Sequence, residues 1–426
     1  MKPKTIIPVK RLSGKIMLPG DKSISHRAVM LGAIAKGEAR VRGLLDCDDC
    51  NFTIGAFKNM GVDIKTKGDV TIIKGKGLSG LEAPKGPIYL GDSGTSMRIL
   101  SGILAGQDFE ATLEGDESLS RRPMERIVAP LSLMGVDIRA GEGGLPPIKI
   151  RGGRLNAIDY KMPVPSAQVK SAILFAGLYA DGVTKVKELF KSRDHTERMM
   201  KYFGADINVE GTQISVKGKR ELKARSLEVP GDISSASFFM VGATLIPGSK
   251  VRIHNVSINP TRSGIIKVLS SMGAKIKILK RKDIFEPVAD IEVGSSNTKG
   301  IVIEEGLIPN IIDELPIIFV LAALSRGKTV IEGAKELRIK ETDRINSMKY
   351  NLENMGARLK VEGDSIVIEG TPSIKGAALR SFGDHRTCMA MAIAALAAKG
   401  ESTIDDASCI RKSFPGFFKV LDGIIR

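Results

Sequence analysis

The residues best suited to chemistry are cations and hydroxyls gathered where the chain is set to begin a helix. In LPGDKSISHR, Lys22 and Arg27 bring positive charge, Ser23 and Ser25 bring hydroxyls, and Gly20 permits a tight turn ahead of them. Free N–H groups at a helix start favour an anion, so this run suits a phosphate or a carboxylate, with ordinary capping as the plain alternative. It lacks the spacing of a Walker P-loop. GDSGTSMR repeats the theme: Gly91 and Gly94 would let a ligand approach the backbone, and Arg98 lies one turn in. PVPSAQVKS presents Ser166, Gln168 and Lys170 at another helix start, and SLSRRPMER sets Arg121 and Arg122 before Pro123, where a doublet is ordinarily a solvated face. KSRDHTER puts Arg193, Asp194 and His195 on a loop, and NPTRS supplies Arg262.

The last third is richest. Asp313 and Glu314 open an otherwise apolar helix, where acids also serve the helix dipole. In IKETDR, Lys340 and Arg344 are four apart with Glu341 and Asp343 between them, so a helix there sets both cations on one face. GDHR adds Asp384, His385 and Arg386, and IRKSFPGF adds Arg411 and Lys412. Each motif alone has a bland reading as a cap or a solvated charge. Their recurrence at equivalent points points to one shared site.

Those points are equivalent because the chain repeats. A helix end of the form apolar-apolar-x-x-Met-Gly-x-x-Ile recurs around Gly61, Gly135, Gly204, Gly273 and Gly356, each suited to a left-handed helix C-cap followed by an alternating strand. A degenerate sixth copy, GFFKVLDGI, closes the chain. Ahead of each copy runs a second, mostly apolar helix such as SISHRAVMLGAIAKG or DHRTCMAMAIAALAAKG. The result is six units of about 70 residues reading helix, strand, helix, strand, strand, longer than the usual solenoid repeat. Three units make a lobe, so the 426 residues divide into two α/β lobes with helices inside and short β-branched strands outside, the junction lying near EVPGDISSASFF.

Composition agrees with a globular chain: 42% hydrophobic and 26% charged residues exclude disordered, collagenous and disulfide-scaffold classes. Lys and Arg number 64 against 48 Asp and Glu, a formal charge of +16. No Trp and 4% aromatics argue against a base-stacking surface, so small phosphorylated or carboxylated substrates account for the charge as readily as nucleic acid. Four cysteines provide no disulfide framework and point to a reducing compartment. Cys47 and Cys50 form one CxxC without the second ligand pair that zinc requires. Pro8 and Lys10 cut the N-terminal apolar stretch short of a secretory signal, and no run reaches the ~18 apolar residues of a membrane span. A cytoplasmic protein is expected.

Taken together, LPGDKSISHR, GDSGTSMR, RRPMER, PSAQVKS, IDELP, RIKETDR, FGDHR and KSFPGF resemble, in order and spacing and over essentially the whole chain, the enolpyruvyl transferase family. Within it they are similar to the branch acting on shikimate 3-phosphate, and GDKS, SAQVK, RDHTE and NPTR to its second class, often less sensitive to glyphosate. Gly94 stands where tolerant members often carry Ala, so tolerance does not follow. The resemblance implies two inside-out α/β barrel-like lobes, each of three βαβαββ units, with residues 20–232 as the N-terminal lobe, 1–19 plus 233–426 as the C-terminal lobe, and the active site in the cleft between them.

It further implies transfer of the enolpyruvyl group of phosphoenolpyruvate to the 5-hydroxyl of shikimate 3-phosphate, with phosphate released, on the route to chorismate and the aromatic amino acids. By the same resemblance Lys22, Ser23, Arg27, Ser166, Ala167, Gln168, Arg193, Asp313 and Lys340 hold shikimate 3-phosphate. Lys22, Gly94, Arg122, Gln168, Arg344, Arg386 and Lys412 hold phosphoenolpyruvate. Asp313, Glu341 and Lys22 are the implied proton carriers. Glu336 stands where many members have Asn, so that contact is not carried over. No metal or cofactor, no nucleic acid, no membrane and a monomeric state are expected. Two other readings compete. A UDP-N-acetylglucosamine 1-carboxyvinyltransferase usually relies on a Cys that EATLEGDESLSRRPME lacks, and its Lys-Asn motif is Lys22-Ser23 here. A basic RNA-binding or RNA-end-processing protein would explain the charge, but no RNP, KH or aromatic-platform pattern is present.

Overall fold

The computed structural model describes residues 2–426; the chain divides into two compact units, Gly20–Val229 and Met1–Pro19 with Pro230–Arg426.

In Gly20–Val229 one pattern runs three times. Strand Ile88–Tyr89 leads into helix Gly94–Leu104, strand Glu110–Glu114, helix Glu125–Leu133 and the hairpin Asp137–Ala140 with Ile148–Arg151. Ile88 lies parallel to Leu113, and the remaining pairs of that sheet are antiparallel. The second copy runs from strand Asp159–Lys161 through helices Ala167–Gly177 and His195–Tyr202 to the hairpin Asp206–Glu210 with Gln213–Lys217. The remaining copy is closed from a distance: strand Leu227–Glu228, at the end of the unit, pairs with Lys36–Arg42 and supplies the leading strand for helix Lys22–Ile34.

Burial shows why the helices lie inside. Helix Lys22–Ile34 is buried from Ile24 to Ile34, and a helix buried on every side belongs in a core, its polar Ser25, His26 and Arg27 confined to the first turns. The second helix of the copy, Asp48–Asn59, buries only Asp49, Cys50, Thr53, Ala56 and Phe57, a single face. Strand Lys36–Arg42 buries Ala39 and Val41 and exposes the residues between.

The unit Met1–Pro19 with Pro230–Arg426 follows the same order. Strand Ser13–Met17 pairs in parallel with Lys250–Ser257 and leads helix Ile233–Leu245. Helix Leu315–Ala323 and helix Arg344–Asn354 belong to the next copy. The degenerate last copy, with helices His385–Leu396 and Phe417–Asp422, keeps a three-stranded sheet whose third strand is Lys4–Ile6, Thr5 facing Thr403. Phe239, Phe414 and Phe417 pack ring to ring in its core, with centroids 5.7–6.2 Å apart.

All five glycines expected at left-handed helix ends have positive φ: 80° at Gly61, 94° at Gly135, 89° at Gly204, 95° at Gly273 and 90° at Gly356. The lobes are α/β as expected, but none of their sheets is a closed barrel. Among the described residues there are five open sheets of four strands and one of three. Among them, too, no single helix is long and apolar enough to cross a membrane.

Candidate functional site

In Gly20–Val229 the sequence-predicted residues gather at the starts of three core helices. Asp21 caps helix Lys22–Ile34 by accepting from the Ile24 amide at 2.9 Å, which places Lys22 and Ser23 in the first turn. Lys22 Nζ reaches Asp49 Oδ2 at 2.9 Å. Arg27 is 2% exposed, and its guanidinium joins three elements: Nη1 donates to the Ser23 carbonyl at 2.8 Å, Nη2 to Ser171 Oγ at 2.9 Å and Nε to Thr196 Oγ1 at 2.6 Å.

Ser171 lies one turn into helix Ala167–Gly177, whose cap is Ser166, accepting from the Val169 amide at 3.4 Å. Gln168 is held at both ends of its amide, Oε1 accepting from Arg98 Nη1 and Nε2 donating to Thr95 Oγ1, each at 2.9 Å. Arg122 is bound to Asp92, with Ser118 Oγ at 3.2 Å. Gly94 lies against both arginines: a Cβ there would stand 2.8 Å from Arg98 Nη1 and 3.2 Å from Arg122 Nη1. The doublet is therefore split, Arg121 exposed and Arg122 buried.

Lys170 is wholly buried between Glu188 Oε2 at 2.8 Å and Glu197 Oε1 at 2.7 Å. Burial works against its charge, but the two carboxylates outweigh it and raise its pKa. Lys170 thereby anchors the segment bearing the half-buried Arg193. His195, read as loop, is instead the first residue of helix His195–Tyr202.

In the other unit Arg344 is the hub. Its Nε donates to Asp384 Oδ2 at 2.7 Å, Nη1 to Asp313 Oδ1 at 3.3 Å and Nη2 to Glu341 Oε2 at 2.5 Å. Burial opposes the charge of the guanidinium, and Asp384, Glu341 and Asp313 together raise its pKa. Arg386 reaches the same aspartate twice, Nε to Asp313 Oδ1 at 3.3 Å and Nη1 to the Asp313 carbonyl at 3.0 Å. Lys412 Nζ lies 3.4 Å from the Gly383 carbonyl.

Lys340 and Arg344 do not share a helix face. Asp343 caps helix Arg344–Asn354 through the Ile345 and Asn346 amides, both at 3.1 Å, so the helix begins only at Arg344 and Lys340 is extended. Loss of water around the Lys340 ammonium, reinforced by Arg344, lowers its pKa against the pull of Asp313, Glu341 and Glu336. Arg262 serves a helix start, donating to Ser234 Oγ at 2.6 Å and Asp232 Oδ1 at 3.3 Å.

Sequence reasoning missed the acids that hold these cations, Asp49 and Asp92, and assigned no holding role to Asp384. Asp48 and Asp49 at a helix start read as dipole acids, and no local signal separates the one that turns to Lys22. Each unit thus offers cations fixed by carboxylates, an arrangement for binding anions in defined positions.

The family model described as EPSP synthase (3-phosphoshikimate 1-carboxyvinyltransferase) matches residues 6–421. A 3-phosphoshikimate 1-carboxyvinyltransferase of Geobacter metallireducens is 50% identical over 426 residues, covering 100% of this chain and 99% of its own. One from Bacillus cereus is 48% identical over 429 residues, covering 100% of both. A solved EPSP synthase from Acinetobacter baumannii superposes with a TM-score of 0.90 at 45% identity, covering 100% of this chain and 98% of that one.

Proposed function

The chain belongs to the EPSP synthase (3-phosphoshikimate 1-carboxyvinyltransferase) family, and from that premise we propose how its residues divide the work of moving the enolpyruvyl group of phosphoenolpyruvate to the 5-hydroxyl of shikimate 3-phosphate. The family match and the relatives favour this acceptor over a UDP-sugar. The product stands on the route to chorismate and the aromatic amino acids.

The reaction is an addition followed by an elimination. Asp313 takes the proton of the 5-hydroxyl as its oxygen bonds to C2 of phosphoenolpyruvate, while Glu341 gives a proton to the methylene carbon. The tetrahedral intermediate then loses phosphate as the bond from C2 to the phosphate oxygen breaks, Asp313 returning its proton to the departing phosphate, and Glu341 takes back a proton from the methyl carbon to restore the vinyl group. Lys22 is the third proton carrier, placed beside Asp49 by an ion pair. Arg122, Arg344, Arg386 and Lys412, with Gly94 and Gln168, hold phosphoenolpyruvate, since guanidinium forks match carboxylate and phosphate oxygens. Lys22, Ser23, Arg27, Ser166, Ala167, Gln168, Arg193, Asp313 and Lys340 hold shikimate 3-phosphate.

The observation that carries this reading is Arg344 holding Asp313, Glu341 and Asp384 by one guanidinium. The two acids assigned to proton transfer thereby share one rigid support. Buried free thiols at Cys47, Cys50, Cys388 and Cys409 support work in a reducing cytoplasm, and a monomer suffices. The test is phosphate release by purified Asp313→Asn and Glu341→Gln enzymes. Turnover falls about 10²- to 10⁴-fold while shikimate 3-phosphate still binds. Wild-type turnover in either would overturn the assignment, and release with the UDP-sugar alone would overturn the acceptor.

A further inference from the structure

Four buried side chains that the mechanism leaves idle form one continuous line. His26 Nδ1 lies 2.7 Å from Thr53 Oγ1, Thr53 Oγ1 lies 2.7 Å from Ser96 Oγ, and Ser96 Oγ lies 2.6 Å from Ser93 Oγ. All four residues are 0% exposed. The line crosses three helices, Lys22–Ile34, Asp48–Asn59 and Gly94–Leu104, and its far end is the cap of the third: Ser93 Oγ accepts from the Ser96 amide at 3.2 Å. Thr53 also stands one turn beyond Asp49, the partner of Lys22, with its hydroxyl 3.5 Å from the Asp49 carbonyl.

The proton at the histidine end of this line has a definite place. Each hydroxyl owns one proton and two lone pairs, and a neutral imidazole owns one N–H. Among the described residues His26 Nε2 has no hydrogen-bond partner. A buried N–H without a partner is the rarer and costlier orphan, so the proton belongs on Nδ1 and is donated to Thr53. Thr53 keeps its own proton for Ser96 or for the Asp49 carbonyl, and in the Ser96–Ser93 pair either hydroxyl can be the donor. Protonating the ring would strand an N–H in the core between the charges of Lys22 and Arg27. Burial first, then those two cations, push the imidazole pKa well below its ordinary value against the weaker pull of Asp21.

The end of the line is sensitive ground. The first residue after Ser93 is Gly94, whose absent side chain leaves room beside Arg98 and Arg122. A displacement of this helix start changes that room directly. We propose that His26 is a positioning residue for the phosphoenolpyruvate side of the reaction, fixing through Thr53 and Ser96 the helix start that sets Gly94 against Arg122. The inference rests on the reading of Gly94 and Arg122 as phosphoenolpyruvate-binding residues.

The test uses the full-length enzyme with His26→Leu, Thr53→Val, Ser96→Ala and the conservative His26→Asn, whose amide can still donate to Thr53. KM for phosphoenolpyruvate rises about three- to ten-fold in the first three, the scale of one lost hydrogen bond. KM for shikimate 3-phosphate and kcat stay within about twofold, and His26→Asn restores the wild-type KM. The double variant His26→Leu/Thr53→Val is no worse than the weaker single, because both cut the same line. Equal rises in both KM values, additive losses, or no change would overturn the inference. Should His26→Leu fail to fold, Ser96→Ala, which removes one oxygen atom, decides the matter. Arg122→Gln is measured alongside. If it leaves KM for phosphoenolpyruvate unchanged, the ligand assignment falls; if it raises that KM while the His26 series does not, only the positioning role falls.

Discussion

Arg344 and Asp384 are joined at 2.7 Å with 1% and 0% of their side chains exposed, and the other oxygen of Asp384 caps helix His385–Leu396 through the amides of Arg386 and Thr387. One carboxylate therefore holds the guanidinium of Arg344 and the backbone that carries Arg386. Asp384→Asn keeps a good cap but removes the charge facing a buried guanidinium. Breaking a buried pair costs about 3–5 kcal/mol; Asp313 and Glu341 still face Arg344, so a loss near 3 kcal/mol is expected in urea unfolding. Asp384→Ala adds about 1 kcal/mol for the missing cap. A loss under about 0.5 kcal/mol in Asp384→Asn would contradict the pairing.

Lys170 has an asymmetric role in its buried triad. Lys170→Met leaves Glu188 and Glu197 without their shared cation, with 1% and 4% of their side chains exposed, and should cost about 3–5 kcal/mol. Glu197→Gln should cost no more than about 1 kcal/mol, because the triad carries one carboxylate in excess and burial already raises the Glu197 pKa against the pull of Lys170. Lys170 Nζ is also 3.5 Å from the Ser192 carbonyl, so Lys170→Met loosens the segment carrying Arg193. KM for shikimate 3-phosphate then rises more than KM for phosphoenolpyruvate. Equal stability losses in the two variants would refute the asymmetry.

Local rules carried the repeat into view, and tertiary pairing hid the rest. Gly61, Gly135, Gly204, Gly273 and Gly356 were readable because a left-handed helix end admits few other residues. Helix starts at Lys22, Gly94, Ala167 and His385 were readable for the same kind of reason, since caps are local. The partners of the cations were not. Asp49 follows Lys22 by 27 residues and Asp384 follows Arg344 by 40, and nothing near either acid distinguishes it from an ordinary cap. The helix face expected for Lys340 and Arg344 failed because periodicity counts spacing and ignores a cap, and Asp343 starts the helix after Lys340. The third strand of the last sheet, Lys4–Ile6, comes from the far end of the chain, where no sequence period reaches.

The neutral His26 should make stability fall in mild acid. Its folded pKa is depressed, so the stability it contributes is present above its unfolded pKa of about 6.5 and is lost as pH falls toward the folded value. Between the two values the unfolded chain binds up to one proton more at this site, and the loss approaches about 1.4 kcal/mol per pH unit. Urea unfolding between pH 7.5 and 5.5 should show wild type losing stability more steeply than His26→Asn by up to this slope. Parallel pH dependence in the two proteins would mean that His26 titrates alike in the folded and unfolded chains.

Gly94→Ala tests how firmly the arginines are held. The backbone at Gly94 is not in the left-handed region, so Ala is tolerated conformationally, and stability should change by less than about 1 kcal/mol. The new Cβ would stand 2.8 Å from Arg98 Nη1 and 3.2 Å from Arg122 Nη1, both closer than ordinary contact. Arg98 can withdraw only by giving up its 2.9 Å bond to Gln168, and Arg122 only by moving from Asp92. Either movement disturbs groups assigned to phosphoenolpyruvate. KM for that substrate should rise about tenfold, matching the loss of one good charge-assisted hydrogen bond, with KM for shikimate 3-phosphate altered less because, of the groups disturbed, Gln168 alone is assigned to both substrates. Arg98→Met in the Gly94→Ala background relieves the closer contact and should recover part of the loss. An unchanged KM in Gly94→Ala would show that the guanidiniums yield freely and that the room beside Gly94 does not limit binding.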